Sequence, residues 1–234
     1  MIRIGGTEIT DIAVGSTPIE KAYIGSTLVW EKSSPQPEFI ECDWIENTST
    51  AYIDSGIIPN ANTFKIEVKY YRAASEKTGI CVCGARNAYA TRNYSFWTSA
   101  DYVDSVRVTT GSKSSWTQKT IATLEKTCIF TLANRAASLD VDGVTTSWTA
   151  ENPSTYGATR NMYIFNCNNN GAVTNMWSFL GKIYYFKIYK SNVLQRDFVP
   201  AYQVSTQKYG LLDKVNDVFY ISPNGVDFTG PSIA

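Results

Sequence analysis

The sequence predicts an all-β fold, a sandwich or barrel of short antiparallel strands, and three observations carry that expectation. Aromatic residues make up 13% of the 234, with 15 Tyr, 10 Phe and 6 Trp. Together with abundant Thr, Ser, Val and Ile these are side chains suited to a pleated, half-buried surface. Apolar residues recur at every second position in short runs, with no convincing helical period anywhere. Turn-forming sequence punctuates those runs, and many short strands separated by turns read as a sandwich or barrel.

The strands can be followed along the chain. Ile4-Gly5-Gly6-Thr7-Glu8-Ile9, Val14-Gly15-Ser16-Thr17-Pro18-Ile19 and Ile24-Gly25-Ser26-Thr27-Leu28-Val29 share one pattern and recur every ten residues. Each unit reads as strand, Gly-containing turn, strand. So short a β segment buries little surface alone, which predicts packing on a partner, on the main domain or on copies of itself. Ser33-Ser34-Pro35-Gln36-Pro37 is a stiff, extended linker. The organisation expected is therefore an attachment segment at 1–32, a Pro-rich linker at 33–37 and one large domain at 38–234.

Within that domain Phe64, Ile66, Val68 and Tyr70 alternate with Lys65, Glu67, Lys69 and Tyr71, one face buried and one wet. Val106 and Val108 alternate with Ser105, Arg107 and Thr109. Leu139-Asp140-Val141-Asp142-Gly143-Val144 is expected to be a hairpin closed by a type I′ turn. Met162 to Cys167 is expected to be one strand, ended by the loop Asn168-Asn169-Asn170-Gly171. Lys182 to Tyr189 is expected to be a central strand covered on both faces, with Tyr184, Phe186 and Ile188 on one side and Ile183, Tyr185 and Tyr189 on the other.

Composition also narrows function. Lys+Arg and Asp+Glu are both 21, so no excess of positive charge points to nucleic acid. The chain contains no His, which removes Ser-His-Asp and Cys-His nucleophiles and His-ligated metals. Cys42, Cys81, Cys83, Cys128 and Cys167 are odd in number and contain no Cys-x-x-Cys pair, so buried free thiols in a reducing cytoplasm are expected. No apolar run reaches the ~20 residues of a membrane span. Met1-Ile-Arg-Ile-Gly-Gly has no signal-peptide core, so any work outside a cell implies another way out, such as lysis.

Several segments in order carry a resemblance. They are Phe39-Ile40-Glu41-Cys42-Asp43-Trp44-Ile45-Glu46, Ala51-Tyr52-Ile53-Asp54-Ser55-Gly56-Ile57, Gly84-Ala85-Arg86-Asn87 and Tyr94-Ser95-Phe96-Trp97. Gly181 to Tyr189, Arg196 to Ala201, Tyr209 to Asp213 and Val218-Phe219-Tyr220 follow. Over residues 38 to 230 this order resembles the concanavalin A-like, laminin G-like jelly rolls of phage and prophage tail and appendage proteins. The leading repeat, ending in Tyr23 to Trp30, resembles short segments of phage structural proteins. The resemblance implies a two-sheet antiparallel jelly roll whose concave face or rim loops bind a host surface glycan or a partner protein. It further implies a virion component assembled in the bacterial cytoplasm, docked to other virion subunits through residues 1–32, and a homo-oligomer with a trimer favoured. The alternative is a glycoside hydrolase or polysaccharide-binding protein of a gut bacterium built on the same fold.

Candidate site residues follow from glycan chemistry, in which C–H faces of sugars stack on Trp and Tyr while hydroxyls seek Asn, Arg and backbone groups. Trp97, Trp116, Trp148 and Trp177 lie in or beside loop-like polar sequence, and Asn93 and Tyr94 adjoin Trp97. Arg86, read as following a strand, suits a carboxylate-bearing sugar. No cofactor or metal is expected. Asp142-Gly143 and Asn168 to Gly171 read as turns rather than calcium loops. Glu41, Asp43 and Glu46 spell Glu-x-Asp-x-x-Glu, which resembles the acid pair of glucanases of this fold but falls on the first strand after the linker. The chain is expected not to be an enzyme.

Overall fold

A computed structural model describes residues 38–59, 63–72, 80–88, 91–99, 105–110, 116–120, 125–133, 136–149 and 158–233, together with six short strands within residues 3–31. Its contacts divide the chain into two units, residues 1–38 and 39–234. In the first, strands β1 (Arg3–Ile4) and β2 (Thr7–Glu8), β3 (Ile12–Val14) and β4 (Thr17–Ile19), and β5 (Lys21–Ile24) and β6 (Thr27–Glu31) form three antiparallel hairpins. Their closing pairs are Ile4–Thr7, Val14–Thr17 and Ile24–Thr27. Each pair leaves two residues between its strands, the spacing of the tightest hairpin. The linker at 33–37 lies outside the described residues.

The second unit is a two-sheet sandwich, and no α-helix occurs among its described residues. The larger sheet runs β17 (Val144–Thr149), β16 (Ala136–Val141), β15 (Glu125–Ala133), β10 (Thr63–Arg72), β20 (Gly181–Lys190), β21 (Val193–Gln203), β22 (Lys208–Asp213), β23 (Val218–Tyr220). Two short strands join it, β7 (Phe39–Glu41) on β21 and β8 (Ile45–Asn47) on β20. The smaller sheet runs β14 (Trp116–Thr120), β13 (Ser105–Thr110), β12 (Thr91–Ser99), β11 (Ile80–Ala88), β18 (Tyr163–Ile164), β9 (Ile53–Asp54), with β19 (Cys167–Asn169) also on β11. The named strands pair antiparallel except β11 with β19.

Alternation places the core. On β10 the burial pattern is strictly period two, with Phe64, Ile66, Val68 and Tyr70 inward as expected. They meet Val82, Ala85, Tyr94 and Phe96 from the smaller sheet. Aromatic pairs bridge the gap, Phe64 to Tyr94 at 4.7 Å and Tyr70 to Phe96 at 6.1 Å, both edge-to-face. The β16–β17 hairpin closes at Val141–Val144 with Asp142 and Gly143 at φ 51° and 80°, the two positive angles a type I′ turn requires. All five cysteines are free, four of them buried and Cys42 half-buried.

Two strands differ from expectation. On β20 the alternation breaks, because Tyr184 and Tyr185 both turn outward where the register against β10 shifts at Lys69/Tyr70. This bulge leaves Ile183, Phe186 and Ile188 inward, and the outward Tyr184, Tyr185 and Tyr189 are half-exposed rather than covered by a second layer. Met162 to Cys167 is not one strand. Ile164 pairs antiparallel with Cys83, yet Cys167 pairs parallel with Gly84, so the chain reverses between them. The reversal needs Phe165 at φ 67°, a strained region for a bulky residue. Its ring is buried 4.9 Å from Phe228, its N–H donates to Val82 O at 2.8 Å, and its carbonyl accepts from Phe179 N at 2.8 Å. Those contacts hold it.

Candidate functional site

Strand β11 supplies both faces of the smaller sheet. Ile80, Val82, Cys83 and Ala85 enter the main core, whereas Cys81 joins Cys167 and Trp97 in a separate buried cluster. That cluster lies on the side turned away from the core, and Trp177 packs on it. Gly84 makes room: a Cβ there would sit 2.7 Å from Ser95 Cβ and 2.9 Å from Cys167 Sγ. Trp97 is 6% exposed, and its indole Nε1 donates to Ser95 Oγ at 2.7 Å.

Trp177 closes the cluster and meets Trp97 edge-to-face at 5.5 Å. It ends a short 3-10 turn, Asn175–Trp177, in which its N–H donates to Thr174 O at 2.9 Å. Asn166 Nδ2 donates to Ser178 Oγ at 3.0 Å and Asn166 Oδ1 accepts from Cys167 N at 2.7 Å, tying that turn to β19. The Arg86 guanidinium lies 4.9 Å from the centre of the Trp177 ring. Arg86 pairs in register with Asn93 on β12 and Asn169 on β19, and its carbonyl accepts from Asn170 N at 2.7 Å. A guanidinium over an indole face is attracted to it, and it carries five N–H donors, enough to serve protein and ligand together.

Sequence reasoning named three of these residues separately, Arg86, Trp97 and Trp177; the fold brings Trp97, 11 residues beyond Arg86, and Trp177, 91 residues beyond it, together with Arg86 through β11, β12 and the turn. Arg86 lies within β11 rather than after a strand, and Trp97 and Asn93 lie within β12 rather than in a loop. Trp116 begins β14 and pairs with Thr109, whose other partner is Ser95, so its backbone falls in the row that passes Gly84. Tyr94 is a correction: it is 1% exposed, wedged between Phe64 and Phe130, and burial pushes its phenol well above the ordinary value. Trp148 lies on β17 of the other sheet, paired with Ala137. Arg160, which no sequence signal marks, packs beside Gly171, its Cζ 3.8 Å from where a Cβ would stand.

Several other acidic and amide side chains accept hydrogen bonds or ion pairs within the fold. Asp140 accepts from Gly143 N and Thr145 Oγ1, and Asp142 accepts from Thr127 N, as hairpin carboxylates do. Asn168 Oδ1 accepts from Gly171 N at 2.7 Å. Glu41 lies on β7 and Glu46 on β8, opposite Ala201 and Lys182 respectively, and Glu41 pairs with Lys214 at 2.6 Å. Asn47 is 1% exposed, donating to Phe179 O and accepting from Ser49 N and Ala51 N.

No family model and no curated protein matches the sequence. Solved structures do match its fold. A protein of Bacteroides ovatus ATCC 8483, named for a carbohydrate-binding role, aligns with a TM-score of 0.56 at 14% identity, over 82% of this chain and 60% of that one. The CBM40 of the Ruminococcus gnavus IT-sialidase, bound to α2,6-sialyllactose, aligns with a TM-score of 0.51 at 14% identity, over 64% of this chain and 91% of that one. The chain has the concanavalin A/laminin G-like jelly roll. At this identity the likeness concerns fold.

Proposed function

We propose that the jelly roll is a carbohydrate-binding module whose ligand sits at the Arg86–Trp177 face of the smaller sheet, and that it recognises a sugar bearing a carboxylate. The observation that carries this reading is the Arg86 guanidinium set over the Trp177 ring, which in turn packs edge-to-face on Trp97. A planar guanidinium pairs with a carboxylate through two parallel hydrogen bonds, and the indole gives a sugar ring an apolar neighbour. The sialyllactose bound by the R. gnavus module is a ligand of this chemistry. Binding of sialyllactose, compared with lactose by calorimetry with and without EDTA, tests it. A dissociation constant of roughly micromolar to millimolar is expected. Arg86→Met should abolish the preference for the acidic sugar, and equal binding of both sugars by the parent would overturn the reading.

In the finer reading the chain is a phage or prophage virion component that carries this module to a host surface glycan, with residues 1–32 docking it to other virion subunits. The ordered segments from Phe39 to Tyr220 and the three N-terminal hairpins support it. Flanking tail or capsid genes are the expected neighbours, and flanking polysaccharide-utilisation genes would count against it. Binding occurs without hydrolysis, a reading supported by the division of Glu41 and Glu46 between two strands and the Lys214–Glu41 ion pair. Reducing-sugar release lost in Glu41→Gln and Glu46→Gln would sink it.

A further inference from the structure

We infer that Tyr52, Asp54, Asn161 and Tyr163 form a second carbohydrate subsite, one for an uncharged sugar, at the β9–β18 end of the smaller sheet. Asp54 and Tyr163 are cross-strand partners and so share a face. Their strand neighbours Ile53 and Ile164 enter the main core. That turns Tyr52, Asp54 and Tyr163 to the outward side, on which Cys81, Cys167 and Trp97 also lie. The cluster therefore shares a face with Arg86 but is built by other strands.

The groups are those that hold a sugar ring. The Tyr52 and Tyr163 rings lie 4.6 Å apart, with Tyr163 buried and Tyr52 half-buried. Paired phenols give an apolar platform with hydroxyls at its rim. Asp54 Oδ1 accepts from Gly56 N at 2.9 Å, and Asp54 Oδ2 accepts from Asn161 Nδ2 at a long 3.4 Å. An ionised carboxylate offers about four acceptor positions, so capacity remains at Oδ2 for sugar hydroxyls. Asn161 adds an amide that both donates and accepts. Burial first, with Asp54 adding to it, pushes both phenols above their ordinary value, so the carboxylate is felt at both rings.

Charge selects the occupant. Glu41, Glu67, Glu125, Asp197, Asp213 and Asp227 each pair with a lysine or arginine. Asp54 has no such partner among the described residues, and Arg160 acts on the Tyr163 phenol more weakly than Asp54 does. A paired cation would occupy the acceptors a sugar hydroxyl needs. A bare carboxylate keeps them and repels an acidic sugar. The frame is also fixed before any ligand arrives. Tyr52 N donates to Ser222 Oγ at 3.1 Å, Ser55 N and Oγ donate to Met162 O at 3.0 and 2.6 Å, and Asn168 Nδ2 donates to Asn161 O at 2.9 Å. Groups already held in place lose less freedom on binding.

The inference rests on the jelly roll being a carbohydrate-binding module, and not on Arg86 taking a carboxylate. Lactose, cellobiose and maltose, titrated into the Arg86→Met chain and followed by saturation-transfer NMR, test it. At least one should bind with a dissociation constant in the roughly millimolar range, and sialyllactose should bind that chain no tighter. Asp54→Asn keeps an acceptor for Gly56 N and removes the one beside Asn161. It should weaken the neutral sugar roughly tenfold, the loss of one hydrogen bond to a charged group. Should that variant fold poorly, Tyr52→Ala at its half-buried position decides, and it should weaken binding as well. No binding of any of the three sugars to the Arg86→Met chain, or unchanged affinity in a folded Asp54→Asn or Tyr52→Ala chain, would overturn the inference. The preference for an acidic sugar is read at Arg86 and the neutral affinity at Asp54, so either can fail alone.

Discussion

On the outward side of the larger sheet, Lys65 lies 3.8 Å above the Tyr189 ring and pairs with Glu67, and Lys69 lies 4.8 Å from the Tyr184 ring and pairs with Glu125. On the outward side of the smaller sheet Trp97, Cys81, Cys167 and Trp177 pack together beside Gly84 and Ser95, with Arg86 over the Trp177 ring. The first surface sets lysine ammonium groups over its aromatics, each also paired with a carboxylate and partly open to water, where each ion pair contributes little. The second buries apolar volume outside the main core, which needs a base shaped to receive it. The difference separates a face that keeps a sheet wetted from one that fixes an indole and a guanidinium in place.

Removing Trp97 should show this contrast at its largest. Trp97→Ala leaves a cavity beneath Trp177 and should cost about 3–5 kcal/mol by urea denaturation. Lys65→Ala on the other sheet should stay within about 0.5 kcal/mol. Equal losses would erase the distinction between the faces.

Gly84→Ala comes next. The new methyl is pressed between Ser95 Cβ and Cys167 Sγ, and overpacking of this kind costs about 1–3 kcal/mol. Because the strain falls directly under Trp97 and Trp177, the quenching of their fluorescence should change with it. Loss of stability with unaltered fluorescence would mean the strain relaxes elsewhere.

Much of the larger sheet was legible because its strands carry one pattern, apolar in and polar out, as in β10, and because Asp142-Gly143 names its own turn. The smaller sheet was harder to read. Tyr94, Ser95, Phe96 and Trp97 are all buried, so β12 shows no alternation by which to tell a core residue from a site residue. Sequence reasoning therefore grouped Tyr94, which fills the main core, with Trp97, which lies on the opposite face. The reversal at Phe165 had no signal either, since neither glycine nor asparagine marks the positive φ. Trp177 stands 91 residues beyond Arg86 in the chain, and its turn is brought near by β19, laid parallel on β11, and by the bridge of Ser178 to Cys81.

Ser95 offers a finer probe of the same base. Its hydroxyl accepts the indole N–H of Trp97, which is otherwise buried. Ser95→Ala should cost about 1–2 kcal/mol, more than an exposed Ser→Ala, because it leaves that donor without its partner. Urea midpoints of Ser95→Ala and Ser147→Ala give the comparison, and matching midpoints would show that water replaces the lost acceptor.

The smallest effect belongs to the larger sheet and is one of pH. Hydrogen bonds from Lys69 and Tyr184 hold the Glu125 carboxyl below its ordinary value. A carboxylate with a lowered folded value adds stability above its unfolded value, about 4.3, and loses it as pH falls through the folded one. The Tyr184 phenol moves the other way, pushed from 10 up to about 12 by burial first and then by its bond to Glu125. Its contribution is complete below pH 10 and is lost as pH rises toward 12. Glu125→Gln should therefore cost up to about 0.5 kcal/mol at pH 7, a ceiling set by its exposure to solvent, and less at pH 3. Added salt should shrink the pH 7 difference, because exposed charges are screened within about 10 Å at 0.1 M. A larger loss at pH 3 than at pH 7, or one indifferent to salt, would place this cluster with the packed face of the smaller sheet rather than with the wetted face it covers.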